Sequence, residues 1–254
     1  MIEVTGLKKT FEGGKAGKKV LAVDDLAFTV AAGEVYGLLG PNGAGKTTTL
    51  RVLATLLKPD AGTAKVAGYD VVSEAEAVRS RIGVVNGGMG LYDRLTGREI
   101  LRYFGRLYGM DAAAVDARIE VLDSLLSLGD TLDRRAGGFS TGMKQKVVIA
   151  RAVIHDPAVI FFDEATSGLD VVARRAVIDF VRSYPSEARA VVYSTHVMSE
   201  VEELCDRCCI IYRGRKIAEG TVAELNASSQ ASSLEEAFFR LVSRSGLAAE
   251  GVTA

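Results

Sequence analysis

Apolar and polar positions alternate in two ways along this chain, and the change from one to the other marks out its elements. Over the first 30 residues the patterns are β-like: Ile2-Glu3-Val4, Val20-Leu21-Ala22-Val23 and Leu26-Ala27-Phe28-Thr29-Val30. Between them residues 12–19 are too polar and glycine-rich to be buried and read as an exposed hairpin loop, so an antiparallel layer is predicted. Val35-Tyr36-Gly37-Leu38-Leu39 reads as a buried strand, residues 63–68 as another, and Ala158-Val159-Ile160-Phe161-Phe162 as a central parallel strand covered on both faces. Residues 190–193 form one more apolar strand, and Cys209-Ile210-Ile211-Tyr212 with Lys216-Ile217-Ala218 flank Arg213-Gly214-Arg215 as a hairpin.

Helical spacing appears over residues 46–57, where Lys58-Pro59-Asp60-Ala61-Gly62 stops it, and again over 143–154, 172–184 and 197–204. Over residues 99–128 it places Ile100, Tyr103, Phe104 and Leu107 on one face and Ile119, Leu122, Leu125 and Leu126 on another. That stretch interrupts an alternation of strand and helix, so a separate helical subdomain is expected over about residues 91–154. Asn86-Gly87-Gly88-Met89-Gly90 before it reads as a flexible joint. The expected fold class is α/β, a core of alternating strands and helices with an antiparallel edge layer. Residues 1–227 form its main body; residues 228–254 hold a serine-rich linker (228–233), a short amphipathic helix and a frayed end.

Composition narrows the function classes. A chain of 254 residues with 48% hydrophobic residues buries one large core or a core plus a subdomain. The net charge of −1 and the lack of any long Lys/Arg run give no support to a nucleic-acid surface. No stretch approaches the roughly 20 apolar residues of a membrane span, and Met1-Ile2-Glu3-Val4 has neither a basic nor an apolar leader pattern. Cys205, Cys208 and Cys209 have no companion metal ligands nearby and read as small, reduced, buried side chains.

Chemistry concentrates at Gly40-Pro41-Asn42-Gly43-Ala44-Gly45-Lys46-Thr47, which matches G-x-x-x-x-G-K-[ST] at every fixed position between a predicted strand and a predicted helix. Glycines there let backbone N–H groups turn around phosphate oxygens while the helix presents its positive end. Lys46 is positioned for the β- and γ-phosphates of a nucleoside triphosphate and the Thr47 hydroxyl for Mg²⁺. Asp163 and Glu164 end the central strand, at the sheet edge where ligands of α/β proteins gather. Asp163 is expected to hold Mg²⁺ through water, and Glu164 to take a proton from an attacking water.

With these motifs the chain resembles the ATP-binding subunits of ABC transporters. The likeness runs from Phe11 to His196 through the phosphate loop, a signature at Phe139-Ser140-Thr141-Gly142-Met143-Lys144-Gln145, Phe162-Asp163-Glu164, Ser167-Gly168-Leu169-Asp170 and His196. It implies ATP and Mg²⁺ as ligands, with the loop from Gly40 to Thr47 and the adjoining Thr48 on the phosphates. Phe11 would stack on adenine, with core packing as its alternative, and His196 would contact the γ-phosphate beside catalytic Lys46 and Glu164. Ser140 and Gly142 would bind the nucleotide of a second copy in a head-to-tail dimer, and Asp170 would connect the two sites.

The resemblance further implies a polytopic permease as partner, reached through the face near residues 87–92, where Met89, Leu91 and Tyr92 are candidate apolar contacts. It also implies a place on the cytoplasmic face of the cell membrane. Two departures stand out. Thr141 and Met143 replace a glycine and the glutamine of the usual Leu-Ser-Gly-Gly-Gln, and Gly87 stands where the family has a glutamine that touches Mg²⁺ and water. Both, together with Gly90-Leu91-Tyr92-Asp93-Arg94-Leu95-Thr96 and Ser194-Thr195-His196-Val197-Met198-Ser199-Glu200-Val201-Glu202, look like the branch serving sodium export, of the NatA type, and drug export. The rival expectations are an ABC-type clamp on nucleic acid or ribosomes and a slow nucleotide-dependent switch.

Overall fold

The computed structural model describes residues 1–13 and 18–247. The three β patterns of the first 30 residues form two long strands, β1 (Ile2–Gly13) and β2 (Lys18–Val30). They pair antiparallel from Ile2↔Val30 to Gly13↔Lys18, with register shifts between Val4 and Leu7, Leu7 and Lys9, and Lys9 and Thr10. Such bulges break the alternation of side chains without ending the ladder, which is why the sequence pattern stops and the strands do not. The expected loop over residues 12–19 is correspondingly shorter, because Glu12 and Lys19 are a paired position; residues 14–17 lie outside the described residues.

β3 (Val35–Leu39) is buried at every position and feeds the phosphate loop into α1 (Lys46–Leu53). The helix ends four residues before the expected 57. Thr55 adopts φ 63° and the Leu56 N–H returns to the Arg51 carbonyl at 2.8 Å, a closure that satisfies the last turn before Pro59 is reached. β4 (Ala61–Val66) joins β1 and turns through Ala67-Gly68 into β5 (Tyr69–Asp70), a two-residue strand that pattern alone does not announce. α2 (Ala75–Arg79), also unannounced, leads to β6 (Ile82–Asn86).

The expected helical stretch over residues 99–128 is two helices, α3 (Gly97–Leu107) and α4 (Ala112–Leu126). Gly109 at φ 77° separates them, and Asp111 restarts the chain by accepting the Ala114 N–H at 2.8 Å. α5 (Thr141–Ala152) follows. Ile100, Ile119, Leu122 and Leu126 are buried as their spacing predicts, but Tyr103, Leu107 and Leu125 are exposed. The buried faces join Val85, Ile160 and Phe162 in one cluster, so the helical segment shares its core with the sheet beneath it.

β7 (Val159–Asp163), β8 (Ala190–Thr195), β9 (Arg207–Tyr212) and β10 (Arg215–Gly220) complete the main sheet, with α6 (Val171–Ser183) connecting β7 to β8 and α7 (Met198–Leu204) connecting β8 to β9. Its order is β10-β9-β3-β8-β7-β6, parallel from β9 to β6 with β10 antiparallel at the edge. β7 is covered on both faces, as its continuous apolar run requires. Val159 and Phe161 pack toward α1 and the antiparallel sheet (β2-β1-β4-β5), while Ile160 and Phe162 pack toward the helices.

α8 (Val222–Ser229) and α9 (Leu234–Arg244) lie over β9 and β10. The linker expected from residue 228 is therefore confined to residues 230–233. The three cysteines are free thiols, Cys208 and Cys209 fully buried, and burial pushes the Cys208 thiol up to about 12. Among the described residues no helix is long and apolar enough to cross a membrane.

Candidate functional site: the phosphate loop and the carboxyl edge of the sheet

Parallel pairing brings the chemistry of four separate stretches to one edge. Leu39 pairs with Thr195, Asp163 with Ser194, and Asn86 with Asp163, so the strand ends of β3, β8, β7 and β6 finish side by side. The loop after β3 fits because it lacks side chains where backbone closes in. A Cβ on Gly40 would lie 2.1 Å from the Ile211 carbonyl oxygen, and one on Gly45, at φ 106°, would lie 2.3 Å from that of Ala22. The loop is backed from outside by the β9–β10 hairpin, whose Gly214 N–H donates to the Ala44 carbonyl at 2.9 Å.

Lys46 is 4% exposed at the head of α1. Its Nζ donates to the carbonyls of Gly40 at 2.6 Å and Pro41 at 3.1 Å, and lies 3.5 Å from Glu164 Oε1. Burial lowers its pKa, with the Glu164 carboxylate opposing. Beside it the Thr47 hydroxyl donates to Asp163 Oδ1 at 3.1 Å, and Ser194 Oγ donates to the same oxygen at 3.0 Å. Glu164 sits at φ 50°, a left-handed conformation that is costly for a side-chain-bearing residue. Its N–H on the Ser194 carbonyl (3.0 Å) and its carbonyl on the Ser167 N–H (3.1 Å) hold it there. The turn aims its carboxylate at Lys46 and at His196 Nδ1, 3.3 Å away.

Two clefts open on this edge. One, of about 430 Å³, is lined by Phe11, Asn42, Gly43, Lys46, Thr48 and Glu164 among others; the second, of about 350 Å³, by Thr47, Arg51, Asn86, Gly87, Asp163 and Glu164. Phe11 is 37% exposed on the rim of the first, with the Lys9 ammonium 5.8 Å from its ring centre, so it is not a core residue. Pattern reading missed Arg51, Ser194 and Asn86. Only Ser194 had a visible signal, its place beside Thr195-His196; Arg51 looked like an ordinary helix residue and Asn86 like part of a joint.

Gly87 has a local reason to be glycine. Its N–H donates to the Asp163 carbonyl at 3.1 Å, and an added Cβ would stand 3.2 Å from the Glu164 carbonyl oxygen. Met89 and Leu91 pack partly against the core, whereas Tyr92 is exposed and meets Tyr103 edge-on at 5.9 Å. Ser140, Gly142 and Asp170 line neither cleft. Ser140 caps α5 through the Met143 N–H, Asp170 caps α6 through the Ala173 N–H, and Gly142 stands against Ala173. Intact caps leave each of these helix starts ordered within a single chain.

Three oxygens converge at Asp163: its own carboxylate, the Thr47 hydroxyl and the Ser194 hydroxyl. Hard oxygen donors of this kind, few in number, fit a Mg²⁺ ion that keeps waters and phosphate oxygens for its remaining positions.

A phosphate loop between a buried strand and a helix, with a histidine at the end of the adjacent parallel strand and a carboxylate pair at the end of the strand beyond it, defines a P-loop ATPase of the ATP-binding-cassette type. The chain belongs to the ABC transporter family, whose model matches residues 23–167. It is 45% identical over 239 residues to the ABC transporter ATP-binding protein NatA of Bacillus subtilis (strain 168), covering 94% of this chain and 96% of that one. It is 44% identical over 227 residues to the daunorubicin/doxorubicin resistance ATP-binding protein DrrA of Streptomyces peucetius, covering 89% of this chain and 67% of that one. Among solved structures, an ATP-binding subunit of an ABC transporter superposes with a TM-score of 0.83 at 30% identity, over 95% of this chain and 99% of the other. A dimeric ATP-binding cassette in a post-hydrolysis state with ADP and Pi matches the fold with a TM-score of 0.77 at 22% identity, over 87% and 98% of the two chains.

Proposed function

We propose that this chain binds ATP with Mg²⁺, hydrolyses it, and thereby drives a separate polytopic permease in an export system. The observation that carries this is the convergence of Lys46, Thr47, Asp163, Glu164 and His196, from three strand ends, on the edge shared by two clefts. Lys46 exchanges its loop carbonyls and Glu164 for phosphate oxygens, which frees the Glu164 carboxylate to accept a proton from the attacking water. His196 Nδ1 steadies that carboxylate. Thr47 and Asp163, with Ser194 behind, hold the Mg²⁺, whose contribution is to neutralise charge on the phosphates. Phe11 offers its ring to the adenine, and the backbone from Gly40 to Thr48 cradles the phosphates.

Ser140, Gly142 and Asp170 act on a nucleotide held by a second copy. That they line neither of this chain's own clefts supports the reading, as does the dimeric state of the ADP-bound cassette that shares the fold. The permease docks near residues 87–92, and the chain works on the cytoplasmic face of the membrane. We take sodium as the first cargo to test, from the likeness to the NatA type. Drug export is the second reading, favoured by the 44% identity to DrrA.

The test is Mg²⁺-dependent turnover of the purified chain, alone and with membrane proteins recovered alongside it. Lys46→Ala abolishes turnover, and Glu164→Gln lowers kcat by about 10²–10⁴-fold with ATP still bound. A kcat barely changed by Glu164→Gln would mark a switch instead of a motor. Capture of a polytopic membrane protein lacking its own ATPase, followed by sodium and drug flux on that pair, decides the cargo; capture of ribosomes or nucleic acid alone refutes transport.

A further inference from the structure

Behind the site, and lining neither cleft, lies one buried carboxylate. Glu200 in α7 is 1% exposed. A carboxylate at that depth persists only when its oxygens are satisfied, and here both are. Oε1 accepts from Thr166 Oγ1 at 2.8 Å and pairs with Arg174 Nε at 3.2 Å; Oε2 accepts from Thr195 Oγ1 at 2.7 Å and from the Tyr193 hydroxyl at 3.1 Å.

The placement of these partners gives the cluster its meaning. Thr166 lies two residues beyond Glu164, on the loop that runs to Asp170. Arg174 lies one helical turn into α6, and its N–H donates to the carbonyl of Asp170, the cap of that helix, at 2.9 Å. Thr195 immediately precedes His196, and its hydroxyl oxygen also accepts the Val197 N–H at 3.0 Å, so it ties the backbone on both sides of the histidine. A single carboxylate thus joins the chain carrying Glu164, the chain carrying His196 and the helix headed by Asp170.

We propose that Glu200 is a positioning residue for hydrolysis. It sets His196 against Glu164 and couples that pair to the loop ending at Asp170, without touching nucleotide. Replacing the whole cluster, Glu200 and its partners together, by apolar side chains would stabilise the same space about as well, because buried ionic groups add little net stability. What the carboxylate adds is direction: four partners from three segments can meet it in one arrangement only. The inference rests on the hydrolytic reading above.

The experiment compares wild type, Glu200→Gln, His196→Ala and the double variant as full-length chains, with Lys46→Ala alongside. It uses steady-state kinetics where turnover allows, single-turnover hydrolysis otherwise, and the Kd of a fluorescent ATP analogue. Gln keeps the shape of the side chain but exchanges an acceptor oxygen for a donor. The expected result is a kcat lowered about 10- to 100-fold, the scale of a displacement of about 1 Å among reacting groups, with KM and Kd within about 2-fold of wild type. In the His196→Ala background the same substitution lowers kcat by less than about 3-fold, because the group it positions is gone.

A kcat within about 2-fold of wild type, a loss of nucleotide affinity that accounts for the change, or effects that multiply fully in the double variant overturns the proposal while leaving the ATPase reading intact. Turnover that does not depend on Lys46 overturns both. If Glu200→Gln does not fold, Thr195→Val and Thr166→Val each remove one hydroxyl from the cluster. They are expected to lower kcat about 3-fold or more at unchanged Kd, and wild-type kcat in both overturns the proposal.

Discussion

Replacement of Gly45 by alanine tests whether the phosphate loop is seated by backbone contact. Gly45 has φ 106°, and its missing Cβ would stand 2.3 Å from the Ala22 carbonyl oxygen in β2, against ordinary contact of 3.4 Å or more. Alanine therefore meets two costs: a left-handed backbone, about 1–2 kcal/mol, and a retreat of β2 or the loop by about 1 Å, an overpacking of about 1–3 kcal/mol. Together they amount to about 2–5 kcal/mol. In a chain of this size each kcal/mol lowers Tm by about 2–4 °C.

Gly43 is the internal control. It has φ 79°, but its added Cβ meets nothing within 4 Å, and the residue lines the cleft with Asn42 and Lys46. Gly43→Ala is expected to carry only the conformational cost, about 1–2 kcal/mol, and to weaken nucleotide binding by crowding the phosphates. Thermal unfolding of both variants, without nucleotide, gives the comparison. If Gly45→Ala is no less stable than Gly43→Ala, the contact with Ala22 does not seat the loop and the reasoning fails.

Three further outcomes follow from the site and its surroundings. Asp163→Asn, which removes the carboxylate that gathers Thr47 and Ser194, should raise the Mg²⁺ concentration for half-maximal turnover about 10-fold or more; an unchanged magnesium titration would refute the assignment. Phe11→Ala should weaken ATP binding about 10-fold, the value of one stacked base, while pyrophosphate binding stays the same; equal losses for both ligands would remove Phe11 from the adenine contact. His155 stacks on Tyr108 with ring centres 3.5 Å apart, and burial lowers its pKa from 6.5 to about 4. The unfolded chain then takes up a proton that the folded chain refuses, so stability present above pH 6.5 is lost as pH falls toward 4, by about 2–3 kcal/mol. His155→Phe should flatten that part of the stability profile relative to wild type; parallel profiles would show that His155 stays accessible to protons.

The phosphate loop, the carboxylate pair and the strands feeding them were legible because each is a local pattern. Glycines, a lysine and a threonine at fixed spacing, or five apolar residues ending in two acids, carry their meaning within a dozen residues. Strand lengths in β1 and β2 were not legible, because bulges erase the alternation that marks a strand. The split between α3 and α4 hung on the conformation of Gly109. Exposure of Tyr103, Leu107 and Leu125 was hidden because periodicity names an apolar stripe but not how much of it a neighbour covers.

By itself, then, the sequence determined the order of buried strands, the phosphate loop between β3 and α1, and the kinds of group available for phosphate, metal and proton. Those properties depend on residues close together along the chain, whose spacing and chemistry act before anything folds. Tertiary structure alone decided that Asn86, Asp163 and Ser194 end in one row, that Thr47 reaches Asp163 across 116 positions, and that Glu200 gathers three segments in the interior. These are matters of strand register and packing between distant segments, where a shift of one residue would turn each side chain to the other face of the sheet.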